Sequence, residues 1–460
     1  DFISIWQVLY NVYFQFNMML DEKKQAYEGK IYRMVTDRIN SQMLHPEHEK
    51  YVFIGFNALT PVEQHLFREL KQQGKAVFYW DYDHFYLNDH EAGSFIQRNL
   101  EDFPGEDLVV YDGLKKDKNI QFVNTPYDIS QAKILPELLN NMPGKNSDAP
   151  DKTAIILPDE HLLLPVLNSL PETAGEVNVT MGYPVYYTPA FSFLLTLIRL
   201  QENVKQQNSE AQFYYNDVLS VLNHQYLGII RDEQVEQLIE EIHKHNKIYI
   251  PSHELTINNL FRSIFTLPGS YESLSDYLLD NYYRFYSLLK QQSEEEDQPL
   301  KMELESIYYV YISIKRLKEI FQQHKAEVKP ATYLRILERV VKNQSIPFQG
   351  EPLSGIQVMG LLETRALDFE NLIILSMNEG VFPKAESTPS FIPFSLRKGF
   401  GLPTYEHNDS IYAYYFYRLI QRAKNVTLVY NSGSDGLQTG EMSRFMYQLK
   451  FETDFDIRER

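Results

Sequence analysis

The 460-residue chain contains no cysteine. Disulfides, cysteine zinc sites and iron–sulfur clusters are therefore excluded within these residues, and a reducing, cytoplasmic location is the expectation. No stretch reaches the roughly 18 uncharged apolar residues that cross a bilayer, so no membrane partner is expected. The opening run DFISIWQVLYNVYFQFNMML comes nearest, but Gln7, Asn11, Gln15 and Asn17 interrupt it, which predicts an amphipathic helix. It lacks a basic leader and a cleavage site, and Asp1 is not an initiator methionine, so a piece of a longer protein is expected. No GxxxxGK[ST] loop is present to cradle phosphates. The 12 histidines show no HExxH or similar ligand spacing, and no Ser-His-Asp arrangement stands out, so no metal centre or triad is expected. Positive charge is outweighed: a formal net charge of −18 argues against a free-standing, non-specific DNA binder, while leaving room for a local basic groove. The acidic run SEEEDQ, residues 293–298, reads as a solvated loop.

Hydrophobic content of 43% and charged content of 23% are ordinary for a globular protein, and the length suits two to four domains. Aromatic residues are plentiful, with 33 Tyr and 28 Phe, as thick helix–sheet packing and base stacking both require. Residues 1 to about 50 carry helical periodicity, broken by Gly29 and Pro46. YVFIGFNALTPVEQHLFRELKQQGKAVFYWD, residues 51–81, then reads as β-α-β: an apolar strand buried on both faces, a helix capped by Thr60, Pro61 and Glu63 and stopped by Gly74, and a second strand. Residues 82–118 look irregular. Two strand–turn–helix patterns follow, before long helical periodicity from Phe191 to about Lys342 and a return to strands in GIQVMGL, NLIILSM and NVTLVYN. The expected fold class is α/β, with a parallel sheet interrupted by an inserted all-helical domain.

Three stretches carry candidate chemistry. In IQVMGLLETRALDFENLIILSMNEGVFP, residues 356–383, Arg365, Asp368 and Glu379 fall at strand ends, where functional side chains concentrate. A surface ion pair between Arg365 and Asp368, with Glu379 as a turn residue, fits the same spacing. In NDSIYAYYFYRLIQRAKNVTLVYN, residues 408–431, Arg418 and Arg422 lie four apart and share a helix face. Like charges repel there, and either a phosphate, a carboxylate or simple solvation relieves them. In YWDYDHFY, residues 79–86, Asp81, Asp83 and His84 follow a strand; they suit a metal or a positioned water, or equally a solvated turn.

Taken in order, these stretches resemble the superfamily I helicases of the UvrD/RecB type, and more closely the AddB-like subunit of bacterial helicase–nucleases. The resemblance covers nearly the whole chain. Where active relatives end the first strand in an Asp-Glu pair that seats magnesium, Gly55 and Phe56 stand here. His84 occupies the place of a phosphate-sensing Gln; Arg365 to Phe369 replaces Lys-Gly-Leu-Glu-Phe; Glu379, Gly380 and Pro383 match E-G-x-x-P. Arg422 stands where active members contact the nucleotide's terminal phosphate.

The resemblance implies RecA-like parallel-sheet helicase-type domains: 1–119 as part of the first, and 120–190 with 345–460 as the second. Residues 191–344 are the inserted helical domain. It implies DNA as ligand, an AddA-like helicase–nuclease subunit as partner, and a PD-(D/E)XK nuclease domain after GEMSRFMYQL, residues 440–449. Trp80 and Tyr82 are the stacking candidates; Arg365, Asp368, Glu379, Arg422 and His84 are the nucleotide- or DNA-binding remnants. With the acidic pair replaced, no cofactor is expected within these residues, ATP–Mg2+ binding is left open, and ATP hydrolysis is expected to be negligible. Two alternatives stay open: an active ATP-dependent helicase whose phosphate loop lies upstream of Asp1, and an interaction scaffold that leaves DNA alone.

Overall fold

Local signals set the first β-α-β unit. Strand β1 (Tyr51–Ile54) and strand β2 (Ala76–Tyr79) pair in parallel, with Tyr51 opposite Ala76 and Ile54 opposite Tyr79. The helix between them, Pro61–Gln72, starts as its sequence predicts. The Thr60 hydroxyl accepts from the Glu63 amide at 3.3 Å, and Glu63 Oε2 accepts from the Thr60 amide at 2.7 Å. Such a cap contributes about 1 kcal/mol. Gly74, at φ +68°, turns the chain into β2. One expectation needs correction: β1 is buried on one face only, because Val52 and Ile54 alternate outward and Ile54 is 68% exposed.

In the computed structural model the described residues are 2–106, 112–142, 152–207, 210–228, 231–245, 247–292, 298–347, 355–384, 392–433 and 440–460. Residues 293–297 of the acidic run lie outside them. Seven strands form an all-parallel sheet in an α/β arrangement. In chain order they are β3 (Asn119–Thr125), β4 (Thr153–Ile156), β5 (Val177–Val179), β6 (Ile356–Met359), β7 (Asn371–Ile374), β8 (Asn425–Asn431) and β9 (Ile457–Glu459). Their spatial order is β9-β3-β8-β7-β4-β6-β5. Residues of β4 and β6 are buried throughout, which is why they read as unbroken apolar runs. No helix among the described residues is long and apolar enough to cross a membrane.

The chain divides into two compact units, 1–159 with 169–176 and 354–460, and 160–168 with 177–353. In the first, Phe67, Phe78, Trp80, Leu372, Phe416 and Phe445 belong to one buried cluster, so the 51–118 stretch shares its core with the sheet. Residues 82–118 are less irregular than their composition suggests, since Ser94–Asp102 is helical and buries Ile96 and Asn99. The N-terminal helix Phe2–Glu22 forms as expected, with Ser4, Gln7, Asn11 and Gln15 at helical spacing along one face and its large apolar side chains, from Ile3 to Met19, exposed.

The second unit is dominated by helices, of which Tyr271–Gln292 and Gln298–Gln323 are the longest. It is not all-helical. Lys205–Gln207, Glu210–Tyr214 and Tyr249–Pro251 make a three-stranded antiparallel sheet. Opposed Phe213 and Ile250 anchor it in the core, and strands this short alternate too briefly to be read from sequence.

Candidate functional site

Two arginines on the last turn of helix Tyr405–Ile420 and in the bend after it point at the loop that follows β2. Arg418 Nε donates to Asp81 Oδ2 at 2.9 Å, and Arg422 Nη2 donates to Asp81 Oδ1 at 2.7 Å. Gln421 is a third side chain donating to this carboxylate, its Nε2 reaching Oδ1 at 3.0 Å. Asp368, in the turn leading into β7, forms an ion pair with Arg418 Nη1 at 2.8 Å and accepts from Arg422 Nη1 at 3.1 Å. Arg418 Nη1 also donates to the Leu367 carbonyl. Two guanidinium groups thus face two carboxylates. The repulsion that the helical spacing sets up is cancelled by the protein's own anions, and the Arg418 side chain, only 6% exposed, is fully dressed.

The electrostatics agree with this closure. Burial alone would raise the Asp81 carboxyl, but the Arg422 hydrogen bond and the Arg418 and Arg422 charges hold it below the ordinary carboxylate value. Backbone contacts fix the loop: Tyr414 Oη donates to the Asp81 carbonyl at 3.0 Å. Asp83, fully buried, accepts from the amides of Phe85 and Leu114, both at 3.0 Å. On the far side, Lys118 Nζ donates to the carbonyls of Gln421 at 3.0 Å and Ala423 at 2.7 Å, and burial pushes Lys118 down to about 8. Gly113 passes so close that a Cβ there would sit 2.0 Å from the Gln421 carbonyl oxygen.

The tip of β1 is part of the same neighbourhood. Gly55, at φ +72°, presents its carbonyl to Arg365 Nη2 at 3.3 Å, and the Arg365 guanidinium lies 5.9 Å from the Phe56 ring centre. Gly55, Asp81, Thr364, Arg365, Tyr414 and Arg418 enclose a cavity of about 10 Å³, room for about one water. A magnesium–nucleotide does not fit these residues. The strand tip offers a hydrogen and a phenyl ring in place of carboxylates, and both arginines suited to phosphate are already spent on Asp81 and Asp368. No group of three or more His, Asp or Glu side chains among the described residues could hold a metal.

The remaining candidates go elsewhere. Glu379 lies beyond the carboxyl end of β7, whereas Asp368 precedes its amino end, so the two do not meet. Glu379 Oε1 accepts from Arg444 Nε at 2.9 Å and Oε2 from the Arg444 amide at 3.0 Å, pinning the start of helix Arg444–Glu452. His84 Nδ1 lies 3.0 Å from Asp112 Oδ1 on the surface, outside the quartet. Trp80 is a core residue, not an open stacking surface: it is 5% exposed, its ring is parallel to Phe78, and its indole N–H donates to the Phe103 carbonyl at 2.8 Å. Tyr82 stays half-buried, edge-on to His84. In the second unit Ser192 Oγ lies 2.9 Å from His224 Nε2. The Tyr226 amide donates to His224 Nδ1, so Nε2 carries the proton and Ser192 meets no base.

Asp81 and Arg418 are the residues that sequence reasoning undervalued. The signal was the pair of like charges on one helix face, which demands an anion but does not name it. Compared with known proteins, the chain matches no family model and no curated sequence.

Proposed function

We propose that the chain is the non-catalytic, helicase-like body of a DNA double-strand-break repair helicase–nuclease subunit, of the AddB-like kind. In this reading the parallel sheet is a RecA-like helicase-type domain and the second unit its large helical insertion. The body binds and guides single-stranded DNA or duplex ends, and docks an AddA-like motor subunit. The observation that carries the reading is the closed quartet of Asp81, Asp368, Arg418 and Arg422 beside a strand tip without carboxylates. It supports a frame kept for its packing after the fuel chemistry has gone: the seat of a terminal phosphate is filled from within, and no cation can be placed to offset charge on a transferring phosphoryl group.

The test is an assay of the purified protein for ATP hydrolysis with and without single-stranded DNA, beside binding of a labelled oligothymidylate over a salt series. Hydrolysis at background and strand binding that weakens with salt are expected. Robust DNA-stimulated hydrolysis refutes the inactive body, and absent strand binding, alone and with the motor subunit, refutes the guiding role. The −18 charge and the exposed apolar N-terminal helix favour a second reading, a protein-interaction scaffold, which partner binding with unchanged DNA mobility would select.

A further inference from the structure

The amino ends of β7 and β8 are closed by the quartet, but beyond the carboxyl end of β7 the first unit presents an open surface. Residues 392–405, IPFSLRKGFGLPTY, hold Arg397 and Lys398 and no acidic residue, against a net charge of −18 for the chain. Phe394, Leu396, Phe400 and Tyr405 are all exposed, Phe400 at 80%. The rings of Phe394 and Tyr405 stack with centroids 5.2 Å apart and 23° between planes, and Lys398 Nζ lies 5.7 Å from the Phe394 centroid. Lys398 also reaches Glu406 at 3.6 Å, a loose surface pair. Tyr405 shares a depression of about 190 Å³ with Glu379, Gly380, Pro383 and Arg444, residues that follow the carboxyl end of β7 or pack on it. That side of a parallel sheet is where α/β proteins take their ligands.

We propose that residues 392–405 form a stacking platform for single-stranded DNA, with bases laid on Phe394, Tyr405 and Phe400 and phosphates met by Arg397 and Lys398. The proposal rests on the DNA-guiding reading and specifies where the strand is held. Exposed rings beside cations are the combination that non-specific strand binding uses, because every base has a π-face and every linkage a charge; the loose Lys398–Glu406 pair leaves the ammonium able to turn to a phosphate. A protein partner would gain from the apolar side chains but has no general need for the cations.

The experiment measures anisotropy of a fluorescein-labelled oligothymidylate with the full chain, wild type against Phe400→Ala and the double variant Arg397→Gln/Lys398→Gln. Phe400→Ala is expected to weaken binding about five- to a hundredfold. Removing two cations is expected to flatten the log–log salt slope by about 1.4. Thermal midpoints should match wild type, since these side chains are at the surface. Wild-type binding with unchanged affinity and slope in both variants overturns the platform, as a protein-docking surface would give, and leaves the DNA-guiding reading standing. Failure of the wild-type chain to bind, alone and with the motor subunit, overturns both.

Discussion

Replacing Asp81 by Asn keeps the shape of the side chain and removes the charge that both arginines share. Breaking a buried ion pair from one side costs about 3–5 kcal/mol. Here the Asp81 side chain keeps 22% of its surface exposed and Asp368 still faces both guanidinium groups, so the lower figure of about 2–3 kcal/mol applies. Trp80, one of only two tryptophans, is buried one residue before this position and reports unfolding of the first unit, while Trp6 is exposed throughout. Followed by Trp80 emission, the urea midpoint at pH 7 should fall by about 1 M.

The pH dependence has a definite sign. The folded Asp81 carboxyl is held below its unfolded value, so its contribution is complete above about pH 4 and is lost as pH falls through the lowered value. The gap between wild type and Asp81→Asn should therefore close in acid. Inorganic pyrophosphate should restore the variant's midpoint, since the arginine pair then lacks one of its two carboxylates, and should do little for wild type. A midpoint shift under about 0.5 kcal/mol, or equal rescue of both proteins, refutes the claim that an internal carboxylate neutralises the arginine pair.

Two further outcomes follow from the supports of the quartet. Gly113→Ala should destabilise the first unit well beyond an ordinary glycine change, because its Cβ would meet the Gln421 carbonyl at 2.0 Å; a urea midpoint equal to wild type would show that this approach relaxes freely. Lys118, pushed down to about 8 by burial, is deprotonated in the fold before it is in the unfolded chain, so stability should rise from about pH 8 towards the unfolded value near 10.4. Lys118→Met should abolish that rise in chemical-denaturation profiles.

What could be read ahead of the structure was local. The Thr60–Glu63 cap, the Gly74 stop and the apolar runs of β4, β6 and β7 depend on neighbours in sequence, and they formed as their residues dictate. The anion beside Arg418 and Arg422 was demanded by spacing, yet its identity rested on a residue 337 positions away, which periodicity does not encode. Trp80 misled for a related reason: an aromatic ring after a strand serves a core or a ligand equally well until the facing residues, here Phe78 and Phe103, are known. The small antiparallel sheet in the second unit escaped because its outer strands, Lys205–Gln207 and Tyr249–Pro251, are three residues each.

The reach of Asp81 across 337 residues to Arg418 also orders events during synthesis. At about 5–20 residues per second, a ribosome needs roughly 20–70 s between making the acid and making its first guanidinium partner. Lys118 and Gly113 wait on the Gln421 backbone in the same way. The early segment is thus a late-closing clasp. A nascent chain halted short of Arg418 would carry a carboxylate ready for burial with no counter-charge, leaving stalled or truncated products marked for chaperones and proteases.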